Sequence, residues 1–424
     1  MPGEISQPPH RRTAASRYSH ARPESRQNPR PPEPDPERSP RSRNQVQDYE
    51  SKAAYTGQFE GKAFCLRRNL RRHLRFRARS LVLLLLVFPN FWGCAERGTG
   101  PPRIKSFGGP ETQTTLGHDP ILRVATANLW GVSVLGLDWA DEIDLRFAEF
   151  ATRLGRNLPQ LDIVLIQEAW KDDARRALLA HDGVRRNFPH RVDVLEEPGG
   201  AGLVVLSKFP IETAEFHRFA AQGRCIKFWE GDCLSGKGVL AVQIKIDEML
   251  YWVATTHLIA CYVGDGKFET ACDQQDPNGN ERMRQISEAR HFMEHLVGEA
   301  PAILGGDFNF TRSSRYYPAM TSRVIPAEGA NMKVAKDLAH APGGWTEMGE
   351  REVVTERIDY IWSRPGSGAH PRWQAYKAAD LIFTEPVAIP DGSSIPISDH
   401  PILAVSFCLT HPDQGPEAEG CQSE

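Results

Sequence analysis

Ser398-Asp399-His400, near the C-terminal end, sets a histidine beside a carboxylate. Upstream, Gly305-Gly306-Asp307-Phe308-Asn309 sets an aspartate two positions from an asparagine. Together these residue types suit the metal-assisted hydrolysis of a phosphoester, with one group to deprotonate water and others to hold that water and the phosphate. Asn128 closes Thr126-Ala127-Asn128, Glu168 follows the apolar stretch Ile163–Ile166, and His257 follows Tyr251–Thr256. A carboxylate just past an apolar strand is either a rim residue or a metal ligand. A hard cation such as Mg²⁺ takes oxygen ligands, often only one or two of them carboxylates, and Glu168 with Asn128 would suit that minimal site. Asp359 lies inside Ile358-Asp359-Tyr360-Ile361, where an acid is costly unless paired, and a histidine is a natural partner. Gly305 and Gly306 allow close backbone approach, and Asp307 and Asn309 share a side if the chain there is extended.

These residues need strand ends to hold them. Leu122–Thr126 alternates as a half-buried strand, while Asp162–Ile166 reads as a strand buried on both faces. Leu203–Leu206, Val239–Ile246, Tyr251–Thr256, Ala302–Leu304, Ile358–Trp362 and Leu403–Phe407 read as further strands. Ile143–Leu154, 171–181 and 281–297 read as helices. The order lacks the regular alternation of a doubly wound sheet. It predicts an α/β fold of two packed sheets flanked by helices. Residues 365–395, rich in Pro, Gly and Ser, read as a long loop.

The chain has 424 residues, a formal net charge of −3 and 40% hydrophobic residues, room for one large domain or two ordinary ones. No strongly basic stripe marks the globular part, which weakens the case for tight nucleic-acid binding. Residues 1–65 are rich in Arg, Pro and Ser and are expected to be disordered. Within 66–94, arginines precede the apolar run Leu81–Phe88 and then Gly93-Cys94, the pattern of an export signal. That run is too short to span a membrane, which takes about 20 apolar residues. Cys94 stands where a bacterial lipoprotein signal is lipidated; a plain cleaved signal or an uncleaved anchor are the competing readings. A signal at this position makes 1–65 an over-extended reading frame, although the next methionine is Met249. Residues 95–118 read as a linker, 119–410 as the catalytic domain and 411–424 as a flexible tail. Cys225, Cys233, Cys261, Cys272, Cys408 and Cys421 are disulfide candidates with pairing open. A zinc site is the weaker alternative, since no pair has Cys-x-x-Cys spacing.

Taken in order, Asn128, Gln167-Glu168, Thr256-His257-Leu258, Gly306-Asp307-Phe308-Asn309, Ile358-Asp359-Tyr360 and Ser398-Asp399-His400 resemble the successive signatures of the deoxyribonuclease I-like endonuclease/exonuclease/phosphatase superfamily. The resemblance implies a four-layered sandwich of two mixed β-sheets flanked by helices. It further implies that Glu168, helped by Asn128, holds Mg²⁺ on a phosphate oxygen, with Mn²⁺ or Co²⁺ able to stand in. His400 would be the general base, oriented by Asp359. Asp307 and Asn309 would position water and phosphate, His257 would donate to the phosphoryl oxygens, and Asp399 would join the metal shell. Attack would be by water directly, with no covalent intermediate.

Three features resemble the neutral sphingomyelinases within that superfamily. Gly231–Gly238 looks like their Asp-x-x-Ser-x-Lys-Gly/Ala element, with Asp232 and Lys237. Arg282 and Gln285 follow His257-Leu258 as in the bacterial enzymes, and Gly306–Phe310 also matches. Ile259-Ala260 departs from the group's usual Gln-Ala. A nucleotide-binding loop is excluded, because Gly238 replaces its Ser/Thr and a strand, not a helix, follows. Lys237 is then either a substrate-binding residue or an exposed lysine on a tight turn. The resemblance implies an enzyme acting on a phospholipid, sphingomyelin, at a membrane surface; a monomer is expected, and the signal within 66–94 implies that it is secreted or lipid-anchored to a bacterial envelope. An exported nuclease acting on nucleic acid, or another phosphodiesterase, is the alternative. Phe228, Trp229 and Tyr262 are candidates for membrane contact.

Overall fold

The computed structural model describes residues 103–109, 120–134, 137–195, 200–223, 235–261, 276–321, 324–326, 338–340, 346–347, 358–364, 366, 370, 372–375 and 380–410. The chain divides into two units, and all of these residues lie in Tyr55–Glu424. The expectations for residues 1–65, the export signal, Asp232, Phe228, Trp229, Tyr262, the tail and Cys225, Cys233, Cys272 and Cys421 lie outside the described residues.

Strict two-residue periodicity builds the first sheet. On β2 (Ile121–Asn128), Leu122 and Val124 face one apolar cluster while Ala125 and Ala127 face another. On β3 (Ile163–Gln167), Ile163 and Leu165 divide from Val164 and Ile166 in the same way. Both faces are covered, which is why these strands read as continuous apolar runs. The pair is parallel, with Asn128 opposite Gln167. Around it the sheet adds β1 (Arg103–Phe107), β4 (His190–Leu195) and β5 (Val204–Ser207) on one side. On the other lie β14 (Ile402–Thr410), β12 (Arg372–Ala375) and β13 (Asp380–Ile382).

The second sheet runs β10 (Thr346–Glu347), β11 (Asp359–Arg364), β9 (Ala302–Asp307), β8 (Met249–His257), β7 (Gly238–Ile246), β6 (Ile211–Arg218). Only β8 and β9 among these pairs are parallel, so both sheets are mixed. Between the sheets lies a core of Leu122, Leu165, Val205, Leu240, Val253 and their neighbours. A polar tie crosses it, Gln167 Nε2 donating to Thr255 Oγ1 at 2.8 Å; the same nitrogen donates to Thr126 Oγ1 at 3.1 Å within the first sheet.

Helices cover the two outer faces. α1 (Ile143–Arg156) buries Ile143, Phe147, Phe150, Ala151 and Leu154, a stripe at helical spacing, and ends on Asn157 in the left-handed region. With α2 (Asp172–Ala180) and α3 (Asp182–Asn187) it packs on the first sheet. α4 (Gly279–Val297) lays Met283, Ile286, Ala289 and Met293 on the second sheet, beside the short α5 (Tyr317–Thr321). The result is the expected helix–sheet–sheet–helix sandwich.

Two segment readings need correction. Residues 103–107, inside the expected linker, form edge strand β1, held antiparallel by β4. Its exposed Arg103, Lys105 and Ser106 give it the composition of a linker, and the partner that orders it is distant in sequence. Residues 365–395 are not wholly loop, since β12 and β13 both pair with β14 and Val387–Ala388 pairs with Ser394–Ile395.

Candidate active site

The parallel pairing of β8 and β9 sets His257 opposite Asp307, and the antiparallel pairing of β9 and β11 sets Asp307 opposite Asp359. Three polar side chains thus stand in a row at one end of the second sheet. The same end of the first sheet supplies Asn128 and, one residue past β3, Glu168. Glu168 has φ 55, a left-handed conformation that turns the chain sharply off the strand. Asn128 joins the two sheets, its Nδ2 donating to Glu168 Oε1 and to Asp307 Oδ2, each at 3.0 Å.

The Asp-x-Asn run is not extended as its spacing suggested. Asn309 sits at φ 52, and its backbone N–H donates to Asp307 Oδ1 at 2.9 Å, an Asx turn. Asn309 Nδ2 then donates to Leu258 O at 2.9 Å, tying this turn to the segment after His257. Gly306 is required where it stands. At φ 152 it passes so near β8 that a Cβ would lie 2.0 Å from Thr256 O.

His400 closes the site. Its Nδ1 is 2.8 Å from Asp359 Oδ2, while Nε2 lies 3.8 Å from both Asp307 Oδ2 and Asp399 Oδ1. Burial alone would lower its pKa, but the fields of Asp359, Asp399 and Asp307 win and push it up to about 10. Burial pushes Asp307 up to about 7, His400 opposing and Asp359 and Glu168 adding to the rise. Glu168 is raised by burial and then by Asp399.

His257 is held well below the usual imidazole range by burial, Lys237 and His400, so it is neutral. Lys237 is itself buried, with Nζ 2.9 Å from His257 Nε2 and 3.2 Å from Leu258 O. An ammonium only donates, so His257 Nε2 accepts here and the cationic donor at this corner is Lys237. The reading of Lys237 as an exposed turn lysine therefore falls. Arg282 and Gln285 do not reach into the carboxylate cluster. Arg282 Nε and Nη2 donate to Ile259 O at 3.1 and 2.9 Å, and Gln285 Oε1 accepts from Ile259 N at 2.7 Å. They fix the segment that leaves His257, and Arg282 also pairs with Asp276.

Oxygen and nitrogen atoms of Glu168, His257 and Asp307 lie within 4.8 Å of one another, as do those of Asp307, Asp359 and His400. The second group is already joined by the His400–Asp359 hydrogen bond. In the first, His257 Nε2 already accepts from Lys237 Nζ, so its carboxylates are what is left for a hard divalent cation. Buried Glu168 Oε2 meets no hydrogen-bond donor, and the charges of Glu168, Asp307 and Asp399 crowd together. Asn128 Oδ1 accepts from Trp130 N at 3.0 Å, while its Nδ2 faces the carboxylates and holds Glu168 Oε1.

Trp170 was missed by sequence reasoning. Its ring centroid lies 5.5 Å from that of His257, and Lys237 Nζ is 5.6 Å from the ring. The available signal was its place two residues past Glu168.

The sequence profile of the Endonuclease/Exonuclease/phosphatase family matches residues 125–400, from β2 through His400. The chain belongs to this family. Among curated proteins it is 27% identical over 291 residues to a Drosophila melanogaster protein assigned provisionally as a neutral sphingomyelinase, covering 68% of this chain and 61% of that protein. It is 24% identical over 317 residues to Sphingomyelin phosphodiesterase 2 of Rattus norvegicus, covering 71% of this chain and 68% of the relative. Sphingomyelinase C from Streptomyces griseocarneus superposes with a TM-score of 0.45 at 20% identity, over 68% of this chain and 99% of that one.

Proposed function

We propose that the protein is an exported, Mg²⁺-dependent phosphodiesterase of neutral-sphingomyelinase type, hydrolysing sphingomyelin to ceramide and phosphocholine. The observation that carries this reading is the pairing of a carboxylate cluster, buried Asp307 with half-buried Glu168 and Asp399, with a histidine fixed by Asp359. The relatives supply the substrate preference, and the burial of Lys237 within the site supports it.

In this reading Glu168 and Asp399 would hold the cation, and Asn128 would orient Glu168. Mg²⁺ would supply charge on the phosphate oxygens and offset the acidic field around His400. His400 Nε2 takes a proton from water as its oxygen attacks phosphorus, and Asp359 stabilises the imidazolium. The bond from phosphorus to the ceramide oxygen breaks, and that oxygen takes up a proton. Asp307 and Asn309 position the water and phosphate, and Lys237, seated on His257, meets the developing negative charge.

Export is supported by the Arg-rich, apolar, Gly93-Cys94 pattern and by the disulfide-bonded state of Cys261 and Cys408. The protein would be secreted or anchored by lipid to a bacterial envelope, and would work as a monomer on a membrane surface. No described helix is long and apolar enough to cross a membrane.

Phosphocholine release from sphingomyelin vesicles, run beside plasmid nicking with and without Mg²⁺, tests the substrate. Lipid hydrolysis without nicking is expected. Nicking without lipid hydrolysis would make the protein a nuclease.

A further inference from the structure

Arg146 lies one turn into α1, beside Phe147 on the buried face, and is 1% exposed. A guanidinium so deep must have its N–H groups met and its charge balanced. Its fork serves four backbone carbonyls. Nε donates to Asp141 O at 2.9 Å and Nη2 to Trp130 O at 2.9 Å. Nη1 donates to Leu129 O at 2.7 Å and reaches Ile397 O at 3.4 Å. Its charge lies in the field of Asp399, Glu168, Asp141 and Glu142.

The partners define what the fork does. Leu129 and Trp130 directly follow Asn128, and Ile397 directly precedes Ser398-Asp399-His400. Trp130 sits in the left-handed region at φ 50, with the guanidinium 5.0 Å from its ring. Ser398 Oγ donates to Asn128 O at 2.5 Å, a second tie between the same two segments.

We infer that Arg146 is a positioning residue of this site: its planar fork locks the Asn128 turn to the Asp399-His400 loop, so that Glu168 and Asp399 face one divalent cation together. The inference rests on the phosphodiesterase reading above. A lysine keeps the charge but has one donor nitrogen, which cannot replace the three nitrogens that meet Asp141 O, Trp130 O, Leu129 O and Ile397 O together. Displacement of reacting groups by about 1 Å can cost roughly 100-fold in rate.

Arg146→Lys is the test. Mg²⁺ affinity is measured by titration calorimetry on the substrate-free protein, and kcat and KM from phosphocholine release well below the variant's melting temperature. Mg²⁺ affinity should fall about tenfold and kcat roughly 10- to 100-fold, with KM little changed. Mg²⁺ affinity and kcat equal to wild type, or a loss confined to melting temperature, would overturn the inference. If the lysine variant does not fold, the Arg146 Nε–H resonance of the wild-type protein is followed through a Mg²⁺ titration. It should move as the cation binds, and a resonance that stays fixed overturns the inference. A wild-type protein that binds no Mg²⁺ would instead remove the metal site itself.

Discussion

Asn128 and Asp307 come from different sheets, yet one amide hydrogen bond of 3.0 Å joins them, and the same amide nitrogen holds Glu168 at 3.0 Å. Two acids that repel each other are thereby kept side by side. Hydrogen bonds to charged groups contribute about 1.5–3 kcal/mol, so Asn128→Ala should cost roughly 10- to 100-fold in kcat. The Mg²⁺ concentration for half-maximal activity should rise as well. A variant with wild-type kcat and Mg²⁺ requirement would show that the bridge is incidental.

Asp359 is the largest of the fields that raise His400. Asp359→Asn should therefore bring the His400 pKa down from about 10 in the metal-free protein, read by NMR titration of its ring protons. Turnover should fall roughly 100- to 10,000-fold, as expected when a general base loses its orienting partner. A wild-type His400 titrating at the ordinary 6.5 would contradict the arrangement.

Both His400 and Asp307 have folded-state pKa values above their ordinary values of 6.5 and 3.8. The folded state binds these protons more tightly, so their contribution to stability is complete at low pH. It is lost as pH rises through about 7 for Asp307 and about 10 for His400. A cation at the carboxylates opposes that loss. The gap in melting temperature between Mg²⁺-loaded and metal-free protein should thus widen from about pH 5 to about pH 9. A gap independent of pH would contradict this linkage.

Gly306→Ala should be among the most damaging small substitutions, on the order of 3 kcal/mol, because its Cβ would lie 2.0 Å from the Thr256 carbonyl within a paired strand. Denaturant unfolding measures this. A loss under about 0.5 kcal/mol, the range of an ordinary surface change, would mean the backbone gives way easily.

The strands that place the site were legible because each buries both faces or alternates cleanly, as Ile163–Gln167 and Gly238–Ile246 show. Glu168, His257, Asp307, Asp359 and His400 were legible as polar groups at or beside strand ends. Edge strand β1 was hidden by its exposed polar residues, and β12 and β13 by a Pro- and Gly-rich stretch ordered through pairing with β14. The direction of the Asn128 amide was not legible, since it depends on Trp130 N–H taking its oxygen. Arg146 left only a faint trace, a charge inside the apolar stripe of α1, and its carbonyl partners lie up to 251 positions away.

The most direct test is phosphocholine release from sphingomyelin vesicles by metal-stripped protein, before and after Mg²⁺, in wild type and His400→Ala. The account predicts no turnover without the cation and full turnover with it. In the folded His400→Ala variant it predicts a loss of at least about 100-fold. Turnover by His400→Ala equal to wild type, or wild-type turnover indifferent to Mg²⁺, would contradict it.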